Sequence, residues 1–189
     1  MADPDVVTLP IGAPAPSFAL RASGGETVAL DDLADAPVFV YVQGCNHCPY
    51  VLANLERLSE LARAYAERGV RFVMVNSNDA DRVGDDSFEA MIDVAARHDL
   101  PFPYLHDPEQ TTALAYRTVR TPEVLVFDAE RRLRYHGRID DAPKDASAAT
   151  THELRDAIEA LLAGGTPEPA ETWAVGCTVK WKPGANPHG

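Results

Sequence analysis

The sequence has few basic side chains, no long apolar run and only three cysteines. Its 189 residues include 17 Lys and Arg against 29 Asp and Glu, a net charge of −12. This excess of negative charge repels nucleic acid and anionic membranes at long range. No stretch approaches the roughly 20 apolar residues of a membrane-spanning helix, and the N-terminus lacks the basic and apolar regions of a signal peptide. We therefore expect no nucleic-acid or membrane partner, and a cytoplasmic location.

Three cysteines in a chain of this length also argue against a disulfide scaffold. In a reducing compartment, a close pair of cysteines is more often catalytic or metal-binding. Hydrophobic residues make up 46% of the chain, enough to bury one substantial core. We predict an extended, proline-containing arm over residues 1–16, one domain over residues 17–165, and an irregular tail over residues 166–189 that packs on the domain.

Hydrophobic patterns predict an α/β domain. Apolar and polar residues alternate on either side of Gly24-Gly25, which is typical of a β-hairpin. Apolar runs at 37–43 and 70–76 predict strands buried in a parallel sheet, and the helical spacing over 49–68 joins them into a β-α-β unit. Further elements follow a polar segment: a helix from Ser87, two strands within 121–139 and a closing helix within 151–165.

The stretch YVQGCNHCPY places Cys45 and Cys48 three residues apart, between the first buried strand and the helix. A helix N-terminus lowers the pKa of a thiol there. We predict that Cys45, at the exposed start of the helix, is the nucleophile, and that the more buried Cys48 is the resolving thiol. His47 lies between them and can carry a positive charge, which would stabilise a thiolate and make the pair more oxidising. No base that would deprotonate Cys48 is identifiable.

The third cysteine, Cys177, lies in the segment GCTVKW of the tail. It is either a small apolar side chain packed under the tail or a candidate resolving thiol that the tail brings to the dithiol. A structural zinc site needs four ligands, and no second close Cys/His pair exists, so no metal or other cofactor is predicted. An alternative of another class is a copper- or zinc-binding protein that uses Cys45 and Cys48 with His47 or Cys177.

The order of these elements resembles the thioredoxin fold, in the subgroup that the AhpC/TSA and thiol-disulfide oxidoreductase families share. The motifs NHCPYV, NSND, DSFEAM, TPE, GRIDD and GCTVKW are similar to those of bacterial peroxiredoxin-like or thioredoxin-family proteins, and the resemblance spans about Leu9 to Trp181. It implies a thioredoxin fold with an N-terminal β-hairpin extension, an insertion after the second core strand and an irregular C-terminal tail.

The same resemblance implies the architecture of the site. In thioredoxin-like proteins a Thr-Pro loop faces the dithiol, its proline is cis, and the preceding residue pairs with the backbone of a bound substrate. This implies that Pro122 is cis and shapes the site, and that Thr121 keeps a strand edge open to a partner. Thr121, Gly44 and Asn46 are then expected to bind substrate.

The function implied is that of a thiol-disulfide oxidoreductase. Its partners would be a disulfide-containing protein or a small-molecule thiol, together with a reductant such as a thioredoxin-type donor. The alternative enzyme is a peroxiredoxin-like thiol peroxidase with an antioxidant role. The peroxidatic pattern Pro-x-x-x-Thr-x-x-Cys is absent, however, whether it is counted back from Cys45 or from Cys48.

Overall fold

The computed structural model describes residues 7–186 and consists of short strands and helices around one large sheet. The strands are β1 Ala19–Ala22, β2 Thr27–Ala29, β3 Phe39–Gly44, β4 Arg71–Asn76, β5 Tyr104–His106, β6 Arg120–Thr121, β7 Glu123–Phe127, β8 Leu133–Gly137 and β9 Cys177–Thr178. The α-helices are α1 Pro49–Leu52, α2 Leu55–Tyr65, α3 Phe88–Arg97, α4 Thr111–Tyr116 and α5 Glu153–Leu162.

Seven strands form the central sheet in the order β2-β1-β5-β4-β3-β7-β8. The pairs β3–β4 and β4–β5 are parallel, whereas β3–β7, β7–β8, β1–β2 and β1–β5 are antiparallel. The predicted hairpin around Gly24-Gly25 is therefore present as β1 and β2, and the two predicted buried strands are β3 and β4. A separate two-stranded sheet pairs β6 with β9.

Strand β3 lies at the centre of the core, with every residue buried. Val40 and Val42 face one cluster of apolar side chains, which includes residues of α2 and α5. Phe39 and Tyr41 face a second cluster on the other side of the sheet. Both faces of the strand are thus covered, which explains why its sequence has no polar face.

The helix predicted over 49–68 is interrupted. It divides into α1 and α2, with Ala53 and Asn54 between them. Asn54 is buried, and its Nδ2 donates to the Tyr50 carbonyl at 2.7 Å and to the Pro143 carbonyl at 2.8 Å. These bonds tie the interruption to the loop after β8 and keep α1 beside the end of β3.

Both termini, as far as they are described, pack on the sheet. Residues 1–6 of the predicted arm lie outside the described residues, but Gly12 donates its N–H to the Leu133 carbonyl at 2.7 Å. In the tail, Val179 and Trp181 are buried against Ala113 of α4. None of the helices in the described part is long and apolar enough to cross a membrane.

Candidate functional site

The two close cysteines lie beyond the C-terminal end of β3, where the chain leaves the sheet. Gly44 ends the strand, and a Cβ there would lie 2.7 Å from the Met74 side chain, so the strand end admits no side chain. The helix does not start at Cys45. It begins at Pro49, which makes Cys48 the N-cap residue.

Cys45 was expected to be an exposed thiol at the helix start, and it is neither exposed nor at the helix start. Cys45 is 1% exposed and Cys48 is 0% exposed, so both are shielded from solvent. The reason is local: three residues of non-helical chain separate Cys45 from the first helical turn. The helix N-terminus therefore acts on Cys48.

The two thiols have opposite pKa shifts. The hydrogen bond that they share raises the pKa of Cys45, and burial and the negative charge of Asp86 raise it further. The same bond lowers the pKa of Cys48 to about 4, with further hydrogen bonds from Cys177 and Thr121 that act in the same direction against the cost of burial. The directions of these two shifts are opposite to the predicted order, in which Cys45 has the lower pKa.

Cys177 lies directly beside Cys48. Its Sγ is 2.9 Å from the Cys48 Sγ. Burial raises the pKa of Cys177 to about 11, and the bond to Cys48 adds to the rise, so Cys177 is the protonated partner. All three cysteines are free. The tail thus brings Cys177 to the dithiol, as a resolving thiol would require.

The loop before β7 faces the same sulfurs. The peptide bond between Thr121 and Pro122 is cis, as the resemblance implied. The Cys48 Sγ lies 3.1 Å from the Thr121 carbonyl oxygen, and the Cys45 Sγ lies 3.6 Å from the Thr121 hydroxyl. This loop therefore contacts both members of the dithiol.

The strand edge at Thr121 is not open to a partner, contrary to expectation. Strand β9 of the same chain occupies it, with Cys177 opposite Thr121. The neighbouring Gly176 comes so close that a Cβ there would lie 2.1 Å from the Thr121 carbonyl oxygen and 3.1 Å from the Pro122 nitrogen. Only a glycine permits this approach, because any side chain would clash with backbone.

The buried acid Glu123 holds the loop before β7 through hydrogen bonds. Glu123 accepts the N–H groups of Val119 and Arg120 with one carboxylate oxygen, at 2.7 and 2.8 Å. Its other oxygen lies 2.5 Å from His136 Nε2, and both side chains are buried. The carboxylate thus satisfies two partly buried backbone donors and holds the loop in place.

Asp86 is the site residue that the sequence analysis missed. It is fully buried 40 residues along the chain from Asn46, whose N–H it accepts at 2.7 Å. Its second oxygen lies 2.6 Å from His47 Nδ1 and accepts Asn78 Nδ2 at 2.7 Å. The carboxylate therefore holds the loop between the cysteines. No spacing in the sequence joins these residues, and the motif DSFEAM, which includes no cysteine or histidine, gave no functional signal.

Asn46 faces into the protein rather than toward a substrate surface. Its side chain accepts the Tyr104 hydroxyl at 2.7 Å and donates to the Asp85 carbonyl at 2.9 Å. Both ends of the amide are satisfied by groups of the protein itself. The structure therefore gives Asn46 a role in shaping the loop, and the expectation that it binds substrate finds no support in its contacts.

His47 is partly exposed and belongs to a potential metal-binding cluster. One of its ring nitrogens, the Cys45 Sγ and an Asp86 carboxylate oxygen all lie within 4.8 Å of one another. A thiolate, an imidazole and a carboxylate together suit zinc. The cluster differs from the sequence-based alternative of Cys45 and Cys48 with His47 or Cys177, because Asp86 takes the place of Cys48. The effect of His47 on the redox potential stays a prediction.

The model of the AhpC/TSA family matches residues 11–136, and the chain belongs to this family. Two solved structures are similar over nearly the whole chain. A hypothetical protein from Sinorhizobium meliloti 1021 is 34% identical with a TM-score of 0.89, covering 94% of this chain and 98% of that one. An uncharacterized conserved protein from Geobacillus kaustophilus is 39% identical with a TM-score of 0.88, covering 93% and 94%.

More distant structures show the fold. A putative thiol:disulfide interchange protein DsbE from Chlorobium tepidum is 24% identical, with a TM-score of 0.63 over 82% of this chain and 99% of that one. Peroxidoxin BcpB from Mycobacterium tuberculosis is 16% identical, with a TM-score of 0.59 over 81% and 94%. These similarities confirm the predicted thioredoxin fold. No curated protein matches the chain.

Proposed function

We propose that the protein is a thiol-disulfide oxidoreductase in which Cys45 and Cys48 form the redox dithiol and Cys48 carries the thiolate. The observation that carries the proposal is the placement of both sulfurs against the cis Thr121-Pro122 loop, with the Cys48 Sγ 3.1 Å from the Thr121 carbonyl oxygen and the Cys45 Sγ 3.6 Å from the Thr121 hydroxyl. The opposite pKa shifts of the two thiols agree with it. The AhpC/TSA family and the interchange proteins of the same fold support it. The roles are the reverse of those predicted from the sequence.

The chemistry is a two-electron exchange. The Cys48 thiolate attacks a disulfide sulfur that reaches it, forming a mixed disulfide and expelling one thiolate. Cys45 then attacks the Cys48 Sγ, its proton passes to the leaving sulfur, and the Cys45–Cys48 disulfide forms. One substrate disulfide becomes two thiols, and the protein gains one disulfide. A low pKa on Cys48 favours the first step at neutral pH, because the thiolate is the attacking species.

The partners that fit this reaction are a disulfide-containing protein or a small-molecule thiol in the cytoplasm, with a thioredoxin-type donor to reduce the disulfide again.

The proposed dithiol function is tested by equilibrating the protein in glutathione buffers of graded potential, followed by mass spectrometry of the cysteine pairs. We expect a Cys45–Cys48 disulfide to appear at one defined potential. A dithiol that stays reduced across the series would overturn the proposal, and Cys45→Ser serves as the control for pairing.

A second candidate substrate is peroxide. The observation that favours it is the thiolate of Cys48 with Cys45 in hydrogen-bond contact, since a peroxide would oxidise the thiolate to a sulfenic acid that Cys45 can convert to a disulfide. Stopped-flow consumption of hydrogen peroxide by reduced protein tests this candidate. Rapid consumption that Cys48→Ser abolishes and Cys45→Ser retains would support it, and a rate no faster than that of free cysteine would exclude it.

The third candidate is metal binding, favoured by the cluster of Cys45, His47 and Asp86. Zinc or copper titration of the reduced protein, followed by calorimetry, tests it. Asp86→Asn should weaken binding if this cluster holds the ion. Equal weakening by Cys48→Ser would instead indicate a site built on the two cysteines.

A further inference from the structure

Solvent reaches the three sulfurs unequally. Cys45 and Cys48 are 1% and 0% exposed, whereas Cys177 is only partly buried. Strand β9, which carries Cys177, pairs with Thr121 and places Cys177 next to Cys48. An external molecule that approaches the site therefore meets Cys177 before it meets either member of the dithiol.

The tail holds Cys177 in this place by bonds on both sides of β9. Before the strand, Thr172 donates its N–H to the His136 carbonyl at 2.9 Å. After it, the Lys180 N–H donates to Asn78 Oδ1 at 2.8 Å, and the Lys180 carbonyl accepts the Asp79 N–H at 2.9 Å. The contact between Cys177 and Cys48 is therefore held by a strand whose flanking segments, before and after it, are hydrogen-bonded to the rest of the domain.

We propose that Cys177 is a third catalytic cysteine, the thiol that exchanges with an external disulfide and passes the oxidation inward to Cys48 and then to Cys45. The inference rests on the dithiol function proposed above and changes its first step: Cys177 attacks the external disulfide in place of Cys48, because Cys48 is fully buried and Cys177 is not. It also limits how a partner can bind at the site. Because β9 already pairs with Thr121, the external disulfide reacts on the outer face of the tail without adding a strand at this loop.

The reaction starts from a thiolate on Cys48 and thiols on Cys177 and Cys45, and each step conserves atoms and charge. The Cys177 proton moves to the Cys48 thiolate, and Cys177 attacks one sulfur of the external disulfide. A Cys177–external bond forms, the external disulfide breaks, and the first external thiolate leaves with the proton from Cys48. The Cys48 thiolate then attacks the Cys177 Sγ and expels the second external thiolate. Finally Cys45 attacks the Cys48 Sγ, and its proton goes to Cys177, which is restored as a thiol.

The test uses glutathione disulfide and the full-length reduced protein, with the rate of Cys45–Cys48 disulfide formation read by quenching and mass spectrometry. We expect Cys177→Ser to lose the fast reaction while long incubation still reaches the wild-type proportion of disulfide. In Cys48→Ser, the glutathione adduct should accumulate on Cys177. An unchanged rate in Cys177→Ser, or an adduct on Cys45 instead, would overturn the proposal. Failure of the wild type to form any Cys45–Cys48 disulfide would instead overturn the dithiol function.

A backbone variant tests the shielding by β9 separately. Gly176→Ala adds a Cβ against the Thr121 carbonyl and should push β9 away, so Cys48 should react directly with iodoacetamide. Gly24→Ala is the matched control, since its Cβ would meet only the flexible carboxylate end of Glu26 in the distant hairpin. Equal labelling of Cys48 in both variants, both folded by circular dichroism, would show that β9 does not control access.

Discussion

The sulfur of Cys177 lies 2.9 Å from the sulfur of Cys48, across 129 positions of the sequence. The contact joins a thiol of raised pKa, Cys177, to one of lowered pKa, Cys48. The order of the three pKa values, and with it the position of the negative charge in the reduced protein, can be tested.

Removing the Cys177 thiol should raise the pKa of Cys48. A hydrogen bond to a charged group is worth about 1.5–3 kcal/mol, and one pKa unit corresponds to about 1.4 kcal/mol, so Cys177→Ala should raise the pKa by about one to two units. The thiolate is the reactive form, and the loss of alkylation on acidification should therefore occur at higher pH than the value near 4 of the wild type. Cys177→Ser keeps a donor and should stay close to the wild type.

Asp86→Asn should lower the pKa of Cys45. The carboxylate raises the pKa of Cys45, so its neutralisation should lower that pKa and make Cys45 ionise earlier as pH rises. Cysteine-specific alkylation followed against pH measures this. Asp85→Asn, which changes an exposed neighbour, is the control. An identical Cys45 profile in the two variants would show that the charge of Asp86 is without effect on the thiol.

Glu123→Ala should destabilise the fold through the Thr121 loop. The variant leaves two backbone N–H groups and His136 without their acceptor, and each buried group left unsatisfied costs about 1–3 kcal/mol. Denaturant unfolding measures the loss in free energy of unfolding. Glu130→Ala, on the exposed turn between β7 and β8, should lose little by comparison. A similar stability of both variants would contradict the anchoring role of Glu123.

Trp181→Ala should loosen the tail. The indole is 7% exposed and packs with Val179 against Ala113, and truncation of a buried tryptophan costs about 3–5 kcal/mol. Part of this loss should appear as faster alkylation of Cys48 in native conditions, because the indole anchors the segment just after β9. Val175→Ala, at a position that is 40% exposed, should change neither quantity much. Unaltered alkylation in Trp181→Ala would mean that the strand is held by its backbone bonds alone.

The sheet could be predicted from the sequence because its signals are local. Runs such as β3 and β4 are apolar on both faces only when both faces are covered, and the Thr-Pro pair was placed by its resemblance to a known loop. The order of the thiols was not predictable in the same way. It depends on the residue at which helix geometry begins, and a shift from Cys45 to Pro49 exchanges the two environments.

The rest of the site comes from contacts between distant parts of the chain. Asp86 and Cys177 reach the dithiol only because the sheet order and the path of the tail bring them there. No periodicity in a single sequence encodes such a pairing, and an aspartate in a polar segment or a cysteine in a proline-containing tail has many uses. The expectation of an open strand edge at Thr121 was wrong for the same reason. The edge is filled by β9, whose Cys177 pairs with Thr121 from 56 positions further along the chain.

Both tryptophans of the chain flank β9. Trp173 precedes the strand, with the Arg120 guanidinium 5.7 Å from its ring centre, and Trp181 follows it in the buried cluster beside α4. Tryptophan fluorescence therefore comes from this one segment of the chain. The molecule carries its own optical reporter at the entrance of the thiol site, so opening of the entrance can be followed in real time without attaching a dye.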